Sequence, residues 1–263
     1  MKKTFSSILF ILITNISISQ TVADISYRLV PQSEIKTFMD NEAMYWGKVF
    51  AVLKEQGHVQ GWSINTRAGG GLASEPNVYS RIAFNSLSQR EEAWVHWAEA
   101  IKKVESEMDS EKLALIKEKL KQDKFNFASF LVQGVDGVWS DNYNWNFVVH
   151  NYVKTENPSS YLEQESKIMK PFFKEMMKKG KTKQKGWGTS IVLSPQGYSY
   201  AYNAMTVDFY ENFSDIFNSY DKDVSWPEGI TDLNRLKEGN GFWKSTIWYR
   251  AIYLDSNNEI IRN

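Results

Sequence analysis

Two stretches decide the fold: "GHVQGWSINT" (57–66) and "GKTKQKGWGTSIVL" (180–193). Each begins on a glycine that closes a helical pattern and then enters a strand through a Gly-Trp pair. Gly61-Trp62 and Gly186-Trp187 lie 125 residues apart. The same offset relates Tyr27 to Tyr152 and Phe84 of "RIAF" to Phe209 of "TVDF". Upstream, Phe50 precedes Gly57 by seven residues, as Phe173 precedes Gly180. A packing arrangement made once has been made again.

Outward from these landmarks both halves read alike. A short strand ("ISYRLV"; "NFVVHNYV") leads into a helix with apolar residues at three- and four-residue steps, among them Tyr161, Leu162, Ile168, Phe172 and Met176. Ser159 or Ser160 is suited to cap that helix, and Gly180 to end it in the left-handed conformation. The Gly-Trp strand follows, then a Gly-bearing connection such as "AGGGLASEP" (68–76), then another strand ("NVYSRIAF"; "YNAMTVDFY"). Each half turns helical again. "SLSQREEAWVHW" carries a capping box of Ser88 and Glu91, and the second half offers "ENFSDIFNSY" and "ITDLNRLKEG". The closing strand is "WKSTIWYRAIY" in the second half and is placed near 126–133 in the first.

Strand, helix, strand, strand, helix, strand, twice over, predicts an α+β chain. It is two tandem split βαβ units with antiparallel sheets and helices on one face of each. On the paired Gly-Trp strand starts and the paired aromatics, the sequence resembles the ferredoxin-like modules of the dimeric α+β barrel superfamily, fused so that one chain supplies both halves of a pseudo-dimeric barrel. That superfamily includes cofactor-free oxygenases, haem-handling enzymes and stress-response proteins, so the resemblance implies a fold more than an activity. The expected division is a signal peptide over 1–19, a first repeat with extra helices over 20–142, and a second repeat over 143–263.

The signal peptide rests on Lys2 and Lys3, the apolar run "ILFILI" (8–13), and Ser17 and Ser19 at −3 and −1 of a cleavage before Gln20. Export to a periplasmic or secreted location follows, with no lipobox cysteine and no stable membrane insertion after cleavage. The chain has no cysteine, so its core must hold it without disulfides. Thirty-one basic residues balance 31 acidic ones; without Lys2 and Lys3 the balance is 29 against 31. That argues against nucleic acid as a partner, which calls for a basic surplus. Oligomeric state is not encoded in any motif.

Alternation sorts the strand faces. The apolar sets are expected on the helices: Phe147, Val149 and Val153; Met205, Val207 and Phe209; Ile247, Tyr249 and Ala251. The mixed sets are then expected between the sheets: His150, Tyr152, Thr206, Asp208, Trp248, Arg250, Tyr79 and Arg81, together with Ile252. Convergent polar groups among aromatics compose a small-ligand pocket. Tyr79, Arg81, Tyr152, Thr206, Trp248 and Arg250 are the candidate ligand-binding residues; His150, oriented by Asp208 or Tyr152, is the candidate acid-base group. The three histidines have no metal-ligand spacing, "AGGGLASEP" lacks the Lys-Ser/Thr of a phosphate loop, and no cofactor motif is present. Three readings stay open: a binding protein for a small polar or aromatic molecule, a cofactor-free oxygenase- or isomerase-type enzyme using His150, and an interaction module whose aromatics are consumed by packing.

Overall fold

The computed structural model describes residues 21–120, 125–141, 144–196, 202–230 and 243–263. The expected signal segment and most of "ITDLNRLKEG" lie outside them. No helix among the described residues is long and apolar enough to cross a membrane.

The first half runs β1 (Val22–Arg28), α1 (Ile35–Asn41), a π-helical turn (Glu42–Trp46), α2 (Gly47–Glu55), β2 (Gly61–Ala68), β3 (Val78–Phe84), α3 (Leu87–Ser106), α4 (Ser110–Leu120) and β4 (Asn126–Trp139). The second runs β5 (Phe147–Val153), α5 (Pro158–Lys179), β6 (Gln184–Ser194), β7 (Ala204–Tyr210), α6 (Phe213–Phe217), β8 (Trp243–Leu254) and a short β9 (Ile260–Arg262). The two expected topologies are present, and β1 and β5 have bounds 125 residues apart at both ends. Gly57 (φ 80°) and Gly180 (φ 66°) close their helices with a left-handed residue, as glycine does most cheaply.

Local details differ from the sequence pattern. α3 starts earlier than the Ser88–Glu91 box, because Ser86 accepts from the Gln89 backbone N–H at 3.1 Å. The cap of α5 is Asn157, whose side chain accepts from the Ser160 N–H at 3.0 Å and leaves Pro158 in the first turn. β4 begins where expected but extends to Trp139.

Within the halves the strands order β2-β3-β1-β4 and β6-β7-β5-β8, and two seams, β4–β6 and β2–β8, join them into a closed eight-stranded antiparallel barrel. Closure removes the unpaired edges that an open sheet would expose. Helices cover the outside. There Trp62 stacks on Phe50 with centroids 5.6 Å apart, and Trp187 packs on Phe173 at 5.4 Å. The repeated Gly-Trp motif is therefore a helix-to-sheet packing device, with both tryptophans buried. Two outer cores gather around these pairs and a third cluster lies inside the barrel.

One landmark fails. Phe84 belongs to the outer core and Phe209 to the barrel interior. Tyr79 lies opposite Tyr27 on β1, whereas Met205 lies opposite Tyr152 on β5, so β3 and β7 correspond with an offset of 126. A single added residue moves every side chain to the other face. A bulge does the same in β8: Ile64 pairs with Ile252 but Asn65 pairs with Arg250, leaving Ala251 extra. Ile252, expected between the sheets, packs in the outer core instead.

Candidate functional site

Cross-strand register places the interior. His150 on β5 faces Thr246 of β8 on one side and Val207 of β7 on the other. Val148 stands beside Trp248, and Arg81 of β3 beside Ser63 and Ile25. His150, Tyr152, Trp248, Tyr79, Arg81 and Arg250 thus come together inside the barrel.

Asp208 and Thr206 do not join them. Asp208 lies opposite Val149, on the face covered by α5, where it accepts from the Asn151 and Gln184 side-chain amides at 2.7 Å each. Thr206 accepts from Asn151 at 3.2 Å on the same outer face. The expectation that these two line the inter-sheet space is corrected. The apolar set of β7 (Met205, Val207, Phe209) faces inward, and a polar network beneath α5 occupies the face expected to be greasy. Asp208 therefore cannot orient His150.

Hydroxyl groups orient it instead. The Tyr79 hydroxyl lies 3.4 Å from His150 Nε2, and the Tyr152 hydroxyl 3.2 Å from Nδ1. Tyr152 also meets Tyr27 at 3.0 Å and accepts from Thr246 at 3.1 Å; Thr246 in turn accepts from Trp248 Nε1 at 2.7 Å. One setting of the protons runs Trp248 to Thr246 to Tyr152 to His150 to Tyr79, with Tyr27 donating to Tyr152. That setting leaves the Tyr79 proton free to donate into the barrel.

The electrostatics keep this chain neutral. Burial first, and then the nearby Arg81 charge, lower the His150 pKa to about 3. Burial pushes the Tyr27, Tyr79 and Tyr152 phenols up. At pH 7 the imidazolium form of His150 is then about one part in ten thousand. The ring is a positioned donor and acceptor, not a proton store.

Two guanidinium groups complete the wall, and both bear on the Tyr79 hydroxyl. Arg250 lies 4.1 Å from the Trp145 ring centre and 3.8 Å from that of Tyr253, in cation–π contact with each. Arg81 is half-buried, on an inward position of β3. Burial lowers its pKa. At the opposite mouth Glu75, from the β2–β3 connection, binds Arg67 at 2.7 Å and also Lys244; chiefly the Lys244 contact lowers its pKa to about 2.

The sequence pattern missed Tyr27, since β1 does not sort by alternation. The repeat itself carries the signal: Tyr27 and Tyr152 are equivalent positions, and equivalent residues meet at an internal two-fold. Trp145 and Tyr253, which stack on Arg250, have no such marker.

No protein-family model matches the chain, and no curated protein matches it in sequence. Solved structures do match. A protein of Fusobacterium nucleatum subsp. nucleatum, proposed to be a monooxygenase, aligns at 12% identity over 93% of this chain and 99% of its own, with a TM-score of 0.57. A proposed monooxygenase of Lactobacillus acidophilus aligns at 8% identity, 92% and 96% coverage and TM-score 0.53. An anthrone oxidase-like protein aligns at 9%, 89% and 92%, and 0.51. At these identities the likeness is one of fold, and it agrees with the dimeric α+β barrel seen here within one chain.

Proposed function

We propose that this protein binds a small polar or aromatic molecule inside its barrel, between the two half-sheets, without transforming it. The observation that carries this reading is the Tyr79–His150–Tyr152 chain, which gathers polar groups with Arg81 nearby and stands beside the apolar Val207 and Phe209 of the adjacent β7. Polar groups that converge opposite an apolar surface are what a ligand pocket offers. A core built for packing alone has no use for a guanidinium there, because an uncompensated buried charge costs several kcal/mol.

Acid-base catalysis at His150 fits less well. Among the described residues no carboxylate backs the ring, and its depressed pKa leaves it almost without protons to give at neutral pH. The expected export stands with this proposal: a binding protein bearing the Lys2–Lys3 and "ILFILI" leader would meet its ligand outside the cytoplasm.

Thermal-shift screening of a broad metabolite panel tests the reading, with His150→Gln and Tyr79→Phe as controls. A hit that stabilises the wild type, and stabilises either variant less, is expected. Hits that shift all three alike would place binding elsewhere and contradict it.

A further inference from the structure

The eight barrel strands carry three acidic residues, and all of them face outward. Asp24 binds Arg90 of α3 at 2.9 Å, Asp136 binds Lys170 of α5 at 2.6 Å, and Asp208 is held by Asn151 and Gln184. Four of the six strand cations are sorted the other way, Arg28 and Lys185 at strand ends being the other two. Arg67, Arg81, Lys244 and Arg250 all occupy inward positions by register. Glu75 reaches in from a loop to answer Arg67 and Lys244. The Arg81 side chain has no hydrogen bond or ion pair among the described residues.

A second polar group beside it is also unanswered. Asn65 is fully buried on the neighbouring strand, across from Tyr79; its amide N–H donates to Ser63 at 3.0 Å, while its carbonyl oxygen has no hydrogen-bond partner. Buried polar atoms are nearly always paired, so orphans on one wall mark where something else binds.

We infer that the barrel ligand is an aromatic monoanion, such as a benzoate-type carboxylate, held through its acidic group by Arg81. This deepens the binding reading above and rests on it. Arg81 is the only inward guanidinium with neither a carboxylate nor a stacked ring across from it among the described residues, so it has a full fork of donors to offer a planar oxyanion. The Tyr79 hydroxyl flanks that point and can donate to the oxyanion, whereas the unpaired Asn65 carbonyl oxygen, an acceptor, cannot. Val207 and Phe209, on the facing strand, give the ring an apolar surface. A neutral ligand would leave the Arg81 charge uncompensated; an anion without a ring would leave the apolar wall uncovered.

The experiment measures melting temperature of wild type, Arg81→Met and Arg81→Lys with benzoate, benzamide or acetate, in a buffer without carboxylates. Benzoate is expected to stabilise the wild type more than either other probe. Its affinity should fall about tenfold or more in Arg81→Met, with Arg81→Lys between, since a lysine cannot form the bidentate pair. Without ligand, Arg81→Met should melt about 2–6 °C higher than the wild type, because it removes an unanswered charge. Benzamide acting as strongly as benzoate would overturn the anion assignment while leaving the binding reading intact. A full benzoate response in Arg81→Met would overturn the role of Arg81. A lower melting temperature in both variants, or no response to any probe, would also overturn the inference; in the last case a hit from the broad panel would still uphold binding.

Discussion

The two half-barrels share a backbone plan and differ in what they turn inward. By register, His150 of β5 stands where β1 has Ile25, and Arg81 of β3 where β7 has Val207. Arg67 of β2 corresponds to Val192 of β6, Arg250 of β8 to Gly134 of β4, and Lys244 to Ala128. Only the tyrosine pair Tyr27 and Tyr152 keeps its identity, and it sits where the halves meet. Both halves share the hydrogen-bond rails and the outer Trp–Phe packing. The interior diverged into a cationic, hydroxyl-rich wall on β5, β8, β2 and β3 and a small, apolar wall on β4, β6 and β7. That polar wall spans the β2–β8 seam, so neither half could build it alone.

The largest effects should come from the feature both halves retain. Trp62→Ala and Trp187→Ala each delete a buried tryptophan from an equivalent helix-to-sheet contact, and each should cost about 3–5 kcal/mol by urea denaturation. A gap of more than a few kcal/mol between them would break the equivalence.

Next comes a residue that only one half has. His150 is neutral in the fold and titrates near 6.5 when unfolded, so the unfolded chain takes up more protons as pH falls below 6.5. Stability is then full above that value and is lost progressively toward pH 3. Between pH 7 and pH 5 His150 should account for about 2 kcal/mol of loss. In His150→Gln the slope should be shallower by that amount; an unchanged slope would mean that the ring is not held neutral.

The paired tyrosines should separate by their partners. Tyr152 touches Tyr27, His150 and Thr246, whereas the Tyr27 hydroxyl meets Tyr152. Tyr152→Phe should therefore cost about 2 kcal/mol and Tyr27→Phe about 1 kcal/mol. Smaller still is Glu75→Gln, at about 0.5–1 kcal/mol near neutral pH, through loss of solvent-screened charge-assisted bonds to Arg67 and Lys244. Since the Glu75 carboxyl is depressed to about 2, that contribution should persist down to the usual carboxylate range and fade below it.

Topology was legible because helix ends and strand starts are written in local chemistry: Gly57 and Gly180 need left-handed backbone, and Trp62 and Trp187 keep their spacing from Phe50 and Phe173. The inward faces of β3, β5 and most of β8 were also legible, as alternation alone places Tyr79, Arg81, His150, Trp248 and Arg250. β7 was not. Its inner face is the more apolar one, and its outer face carries Asp208 and Thr206 in a buried amide network that alternation reads as a pocket. The one-residue shift relating β3 to β7 lies in backbone register, which the Phe84–Phe209 match conceals. Glu75 was invisible for a different reason: its partner Lys244 lies on a strand of the other half.

The seam between the halves can be tested directly, since the chain has no cysteine to interfere. Thr66 and Tyr249 face each other across β2–β8, close enough for a disulfide as antiparallel neighbours. Thr66→Cys with Tyr249→Cys should cross-link on mild oxidation, with peptide mapping confirming the bond and the fold intact. Cross-linking only in Thr66→Cys with Trp248→Cys, a pairing slipped by one residue, would turn Arg250 out of the barrel and contradict the shared wall.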